Sequence, residues 1–419
     1  MTHTHCGMDF GTSNSTIAVA AGNRPPELLP LEDGRPTIPS AIFFSFEDDR
    51  TYFGRQAISE YVGGGDGRLL RSIKSVLGTA LFTDATRVKR QSLAFADILG
   101  TFLGELKRRA EAAHGEPLTD IVCGRPVQFV DDDARADAEA QRQLEGAVRA
   151  LGYRHVEFQF EPIAAALDYE QQVAGEELAL VADIGGGTSD FTVIRLSPER
   201  ACAADRRPDL LSTAGVHVRG TDFHRLLPLG TVTPLLGYGT ETADGKRPLP
   251  SAPYYDFATW HRINRLYNQK TLGELHSTLR EARFPDLVAR LVALVEERQG
   301  HRLAGRVEEA KIALSEAPRT EFRFSMRDVM LATPIGMEDL DAALAGPLAA
   351  IAATIAATLS AAGISAGRID TLILTGGSTR VPAVGNLLRR LLPEARVVET
   401  DAFGSVGLGL ALEAARRFG

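Results

Sequence analysis

Two stretches of the chain share one pattern of apolar and polar positions. Residues 7–22, GMDFGTSNSTIAVAAG, run from an apolar start into Asp9, break at a small polar turn and resume as a β-branched run. Residues 180–196, LVADIGGGTSDFTVIRL, do the same around Asp183, with three glycines in the turn and Asp190 closing it. Each reads as strand, turn, strand. One Asp-led hairpin thus occurs twice, which predicts a duplicated architecture with two related lobes facing one ligand.

The remaining pattern alternates strands and helices. AIFFSF and TDIVCGRPV read as strands. DDDARADAEAQRQLEGAVRALGY reads as a helix, acidic at its start and closed by Gly152. EPIAAALDYEQQVAG places Pro162 in a first helical turn, where its missing N–H costs little, and Gly175 fits as the end. STAGVHVRGTDFHRLL predicts a strand, a glycine turn and a helix. Residues 228–253, rich in Gly, Pro and Thr, predict a surface insertion, and 256–299 are helical with mixed charge. RLAGRVEEAKIALSEAP is a further helix, with Glu308, Lys311 and Ser315 along one face. LAGPLAAIAATIAATLSAAG predicts a buried helix. IDTLILTGGSTRVPAVGNLLRRLL gives a buried strand, a glycine turn and a helix starting near Pro382. This alternation means an α/β fold with parallel or mixed sheets.

Length and composition narrow the picture. A chain of 419 residues holds two to four domains or two large lobes. Apolar residues make up 44% and charged residues 24%, an ordinary globular balance. The net charge of −8 argues against nucleic acid as the main partner. Three cysteines without a C-x-x-C spacing argue against a disulfide framework and for a reducing cytoplasm. The start lacks an apolar leader, and no run of about 20 apolar residues predicts a membrane span. His3, His5 and Cys6 have metal-ligand chemistry, but the plainer reading is a frayed terminus.

The glycine turns carry the chemistry. A phosphate needs close backbone N–H donors, and glycine permits both the approach and positive φ. Gly11, Thr12, Ser13 and Asn14 supply donors in one turn; Gly185, Gly186 and Gly187 supply them in the other, where Thr188 and Ser189 add hydroxyls. Two opposed turns can hold a polyphosphate from both sides. Asp9 and Asp183 are placed to hold a hydrated Mg²⁺, which prefers oxygen and keeps its waters. TGGSTR offers Gly376, Gly377 and Ser378 to a nucleoside, with Arg380 beside the base. A P-loop, G-x-x-x-x-G-K-[ST], does not occur, and nine scattered histidines pick out no Ser/His/Asp triad.

Taken together, DFGTSNS, DIGGGTSDFTV and LTGGSTRVP resemble the phosphate and adenosine motifs of the actin-like ATPase superfamily. FEPIAAALDY, RSIKSVLG and EEAKIALS narrow this to the nucleotide-binding domain of the seventy-kilodalton heat-shock chaperones, the DnaK type. The resemblance runs from Gly7 to Arg416. It implies two duplicated ribonuclease-H-like lobes around a nucleotide cleft: 1–174 with 399–419, and 175–398 with a helical insert at about 223–330. It implies ATP or ADP with Mg²⁺, and slow ATP hydrolysis that drives a conformational switch. In that family's scheme Lys74 approaches the γ-phosphate and Glu161 orients the attacking water. Asp9 and Asp183 hold the hydrated metal, and Thr188 and Asp190 assist at the γ-phosphate. Glu308, Lys311 and Ser315 line the adenosine pocket, and Gly220 lies on the ribose side.

The sequence also departs from the family. Ile312 stands where a basic residue stacks on adenine, Arg219-Gly220 replaces a Gly-Gly, and FGSVGLG replaces an acidic stretch, leaving Asp401 as the nearest acid. Residues 237–267 find no counterpart. No linker or peptide-binding domain is read after Gly419, so the expectation is a short, ATPase-only relative of the YegD kind. It is expected to be a cytoplasmic monomer, with polypeptide clients or co-chaperones as candidate partners and no membrane or nucleic acid. A small-molecule kinase, a filament protein and a non-hydrolysing nucleotide sensor are the alternatives on the same fold.

Overall fold

The computed structural model describes residues 4–22, 24–89, 91–130, 133–186, 188–203, 205–216, 218, 220–314, 317–326, 329–399 and 404–419. His3, Gly187, Arg219, Ser315 and Asp401 lie outside them. The chain divides into two units: Met1–His217 with Ala352–Thr379 and Leu388–Gly419, and Val218–Ile351 with Arg380–Leu387.

The first unit is built on two sheets. One contains β1 (Thr4–Phe10), β2 (Asn14–Ala21), β3 (Asp120–Arg125) and β4 (His155–Phe160), in the order β4-β3-β1-β2, extended at β2 by the short strands Glu27–Leu28 and Ile38–Pro39. The other contains β5 (Glu177–Ile184), β6 (Ser189–Leu196), β7 (Leu210–Val216), β8 (Thr371–Thr375) and β9 (Arg396–Glu399), in the order β7-β6-β5-β8-β9. The two repeat one plan. β1 and β5 are central, each antiparallel to the strand that follows it. Each is also parallel to a strand from much later in the chain, β3 and β8 respectively. This is the duplication that the two Asp-led hairpins predict, on the mixed α/β fold expected from the sequence.

Helices pack between and against these sheets. α1 (Ala134–Ala150) begins where Asp133 accepts from the backbone N–H groups of Arg135 and Ala136, an N-cap for otherwise unpaired donors. α2 (Glu161–Glu170) has Pro162 in its first turn. It ends at Glu170, five residues short of the predicted stop at Gly175. The reason is tertiary: Glu170 is fully buried and held by Arg206, whose own partner is Asp209. α3 (Ser405–Phe418) runs against β1 and α2 with almost no gap. A Cβ on Gly7 would stand 2.3 Å from the Ala411 nitrogen, and one on Gly409 would stand 1.9 Å from the Ala164 carbonyl oxygen. Only glycine permits backbones this close.

The second unit is mainly helical, with the hairpin Arg319–Met326 and Val329–Gly336. Two expectations need correcting here. Residues 228–253 are not a surface insertion: Pro228 lies inside the helix Gly220–Thr231, and Leu229, Val232, Leu236 and Leu249 are buried. Their Gly and Pro content hid apolar residues spread over separate elements: Leu229 on that helix, Leu236 on the 3₁₀ turn Thr233–Leu236, and Leu249 outside both. The helix predicted as buried is longer, Met337–Ala362, and only one face is covered, by Leu344, Ile351, Ile355, Thr358 and Leu359, while many alanines stay exposed. It is long and apolar enough by length and composition to cross a membrane, contrary to the reading that no such run exists. Its leucines and isoleucines pack within the protein instead.

Candidate functional site

Asp9 and Asp183 occupy matching places near the ends of β1 and β5, opposite Thr16 and Asp190 of the next strands. The turn after Asp9 is braced from outside. Ser40 Oγ donates to the Gly11 carbonyl at 2.6 Å, and the Ser40 N–H donates to the Ser13 carbonyl at 2.9 Å. The turn after Asp183 closes on itself: the Gly185 N–H donates to the Thr188 carbonyl at 3.1 Å, and Thr188 Oγ1 donates to Asp190 Oδ2 at 2.7 Å. These turns touch. A Cβ on Gly186 would lie 2.1 Å from Ser13 Oγ. Thr12 and Asn14 flank Ser13 in the first turn.

A third turn joins from β8, where Thr375 is the register partner of Asp183. Gly376 follows with φ of 82°. A Cβ there would stand 2.6 Å from both Asp183 Oδ1 and the Ile184 backbone. Left-handed φ and backbone contact together leave glycine as the one residue that fits. Gly377, Ser378 and Arg380 form the 3₁₀ turn that follows, Gly377–Arg380.

Lys74 sits in the 3₁₀ turn Ile73–Val76. Its ammonium donates to Glu161 Oε1 at 2.6 Å, with the two side chains only 10% and 15% exposed. Burial works against the ammonium, but Glu161, Asp9 and Asp183 outweigh it and hold its pKa above the ordinary value. Burial pushes the Asp9 carboxyl up to about 7, with Glu161 adding to the rise and Lys74 opposing it. Burial pushes Asp183 up to about 8, helped by Asp190, Glu161 and Asp9.

Four carboxylates thus share one ammonium, and the site is short of positive charge. Hard oxygens with a negative excess suit a divalent cation such as Mg²⁺. Among the described residues no three His, Cys, Asp or Glu side chains are grouped to ligate a metal directly. Asp9 and Asp183 offer such a cation oxygen donors of the kind it takes.

Gly220, Glu308, Lys311 and Arg380 belong to the second unit. Gly220 opens the helix Gly220–Thr231. Glu308 and Lys311 share a face of the helix Gly300–Ala313 and pair at 2.8 Å. Ile312 beside them is 57% exposed.

Sequence reasoning missed three contributors. Ser40 braces the first turn from the bend between the strands Ile38–Pro39 and Ala41–Ser45. Gly215 of β7 lets Asp190 approach, since a Cβ there would stand 2.7 Å from Asp190 Oδ1. Gln128 lines a cavity with Glu161, Asp183, Asp190, Thr192 and Thr213. Local pattern marks none of them, because each acts across the fold.

Comparison with known proteins places this architecture. The model of a family described as Hsp70 protein matches residues 5–200 and 290–417, leaving 201–289 outside. The chain is 29% identical to the chaperone protein DnaK of Deinococcus radiodurans and 27% identical to that of Deinococcus deserti. Each alignment covers 97% of this chain and 59% of the relative, so the chain spans well under two thirds of their length. The matched segments contain both Asp-led hairpins, Lys74, Glu161 and the Gly376 turn. The chain belongs to the Hsp70 protein family.

Proposed function

We propose that the first unit binds ATP and ADP with a hydrated Mg²⁺ and slowly hydrolyses ATP to ADP and phosphate, acting as a nucleotide-dependent, chaperone-like switch. One observation carries this reading: the Lys74–Glu161 pair stands with Asp9 and Asp183 at the meeting of two glycine turns. Asp9 and Asp183 would hold the metal through its waters, and the metal would neutralise phosphate charge. The turn of Gly11, Thr12, Ser13 and Asn14 and the turn of Gly185, Gly186 and Gly187 would face the phosphates, with the Gly185 N–H already donating to the Thr188 carbonyl. Lys74 neutralises charge at the γ-phosphate, and Glu161 orients the attacking water and accepts its proton as the bond from the γ-phosphorus to the ADP oxygen breaks. Thr188 and Asp190 steady the same end. Catalysis of this kind rests on positioning and charge, with little covalent work by the protein.

On this reading Gly376, Gly377, Ser378 and Arg380, with Gly220, Glu308, Lys311 and Ser315, form the nucleoside side. The two lobes would be 1–174 with 399–419 and 175–398, the second carrying a helical insert at about 223–330, a division that the repeated plan of the two sheets supports. Nucleotide state would set their separation. Polypeptide clients or co-chaperones would read that state. A reducing, cytoplasmic setting suits three free thiols, two of them buried.

Calorimetry with MgATP and MgADP, followed by phosphate-release assays, tests the proposal. Binding of both and turnover of ATP are expected, with Asp183→Asn cutting turnover at least about tenfold. Absence of nucleotide binding by the folded protein defeats the reading. Binding without turnover reduces it to a sensor.

A further inference from the structure

Arg125 is the last residue of β3, in register with Phe160 of β4, the residue just before Glu161. Its guanidinium lies over two aromatic rings, 5.3 Å from the centroid of Phe129 and 5.2 Å from that of Phe160. The Lys74 ammonium lies over the same Phe129 ring, at 6.0 Å. The two aromatics that Arg125 covers therefore adjoin both members of the Lys74–Glu161 pair.

All three guanidinium nitrogens are engaged. Nε donates to the Pro126 carbonyl at 3.0 Å, and Nη2 donates to the Val127 carbonyl at 3.1 Å and to Asp137 Oδ2 at 2.8 Å. Nη1 donates to Gln141 Oε1. Asp137 in turn accepts from the Phe129 N–H at 2.6 Å. Asp137 and Gln141 lie on α1, so the group clamps the segment 126–129 onto that helix. The Arg125 side chain is 13% exposed. A planar, permanently charged fork that stacks on rings and bonds several acceptors is a task that lysine cannot take over.

We infer that Arg125 is a positioning residue for the proposed hydrolysis: it fixes Phe129 and Phe160, and through them sets Lys74 against Glu161. This rests on the reading of Lys74 and Glu161 as the groups at the γ-phosphate. Arg125 acts through aromatic walls, so its loss loosens the pair without removing any group that binds nucleotide.

Two measurements test this. In ATP turnover, Arg125→Ala should lower kcat about tenfold while KM stays within about twofold, the signature of an interaction used in the transition state. Arg125→Lys should not rescue it. Phe129→Leu should reproduce the loss, and the double variant should be no worse than either single, as for residues acting as one unit. Asp137→Asn keeps the arginine and weakens the clamp, giving a milder loss should Arg125→Ala fold poorly. In the nucleotide-free protein, amide hydrogen exchange should accelerate in both 126–130 and 72–77, with the β5–β6 hairpin unchanged. Unchanged exchange at 72–77, or multiplying kcat losses in the double variant, overturns the inference. Should the wild-type protein lack ATP turnover altogether, the functional reading fails, and the exchange experiment still decides whether Arg125 orders the Lys74 segment.

Discussion

Lys74 and Glu161 are 87 positions apart in the chain and 2.6 Å apart in space. Burial works against the ammonium, but a carboxylate this close holds the Lys74 pKa above its ordinary value. That keeps the lysine in the charged form needed at a phosphate. Lys74→Ala and Glu161→Gln should each lower ATP turnover by about tenfold or more. MgADP affinity should change by only about threefold, since the pair is assigned to the transferring phosphate. Turnover assays beside calorimetry check both, and a variant that turns over like the wild type removes its residue from the mechanism.

Gly376 gives a second, sharper expectation. Its φ is 82° and a Cβ would meet both Asp183 and the Ile184 backbone at 2.6 Å. Gly376→Ala should cost about 1–3 kcal/mol in urea unfolding, from backbone strain alone. It should also abolish nucleotide binding by moving the Asp183 turn. Gly273→Ala is the control: it lies in the helix Gln269–Glu281 with open space around it and should stabilise by about 0.5–1 kcal/mol.

The buried cluster of Glu170, Arg206 and Asp209 anchors the far end of the helix that starts with Glu161. Removing Arg206 leaves the buried Glu170 without its cation, while Asp209 keeps Arg200. Arg206→Met should cost about 3–5 kcal/mol in chemical denaturation at neutral pH. Burial already pushes the Glu170 pKa up. Without arginine the folded state favours the neutral acid more strongly than the unfolded chain does. The loss should therefore grow as pH rises above the ordinary carboxyl range, and be smaller near pH 5 than near pH 8. A penalty that does not depend on pH argues against a buried carboxylate as its source.

In the second unit, His301 Nε2 bonds Asn264 Oδ1 at 3.0 Å and its ring stands 5.4 Å from that of Trp260, the single tryptophan. Asn264 Oδ1 accepts, so His301 carries its proton on Nε2. Burial lowers the His301 pKa below its usual value. The folded state therefore resists protonation more than the unfolded one. Stability from this group is present above the unfolded pKa of about 6.5 and is lost as pH falls below it. A charged imidazole quenches a neighbouring indole, so Trp260 fluorescence should drop with a midpoint below about 6.5. The drop should vanish in His301→Asn.

Sequence and structure agree best where chemistry is local. The Asp-led hairpins were legible because strand, acid and glycine turn are contiguous, and the Gly376 turn for the same reason. Lys74 and Glu161 were legible through family resemblance alone, since no spacing rule joins residues so far apart. Arg125 and Ser40 left no trace in the pattern; an arginine ending an apolar strand looks like any solvated charge until the rings it covers are known. The stop of α2 at Glu170, like the buried part of 228–253, depends on partners from elsewhere in the fold, and local propensity does not report them.

The glycine contacts of α3 carry a consequence for biosynthesis. The first strand can reach its final seat only against a helix made from residues 405–418, threaded between Gly7 on one side and Ala164 on the other. A nascent chain holds Asp9, Lys74, Glu161 and Asp183 long before that helix leaves the ribosome. Until then the face of β1 that receives it stands open, so everything between the two is made with the central layer unsealed.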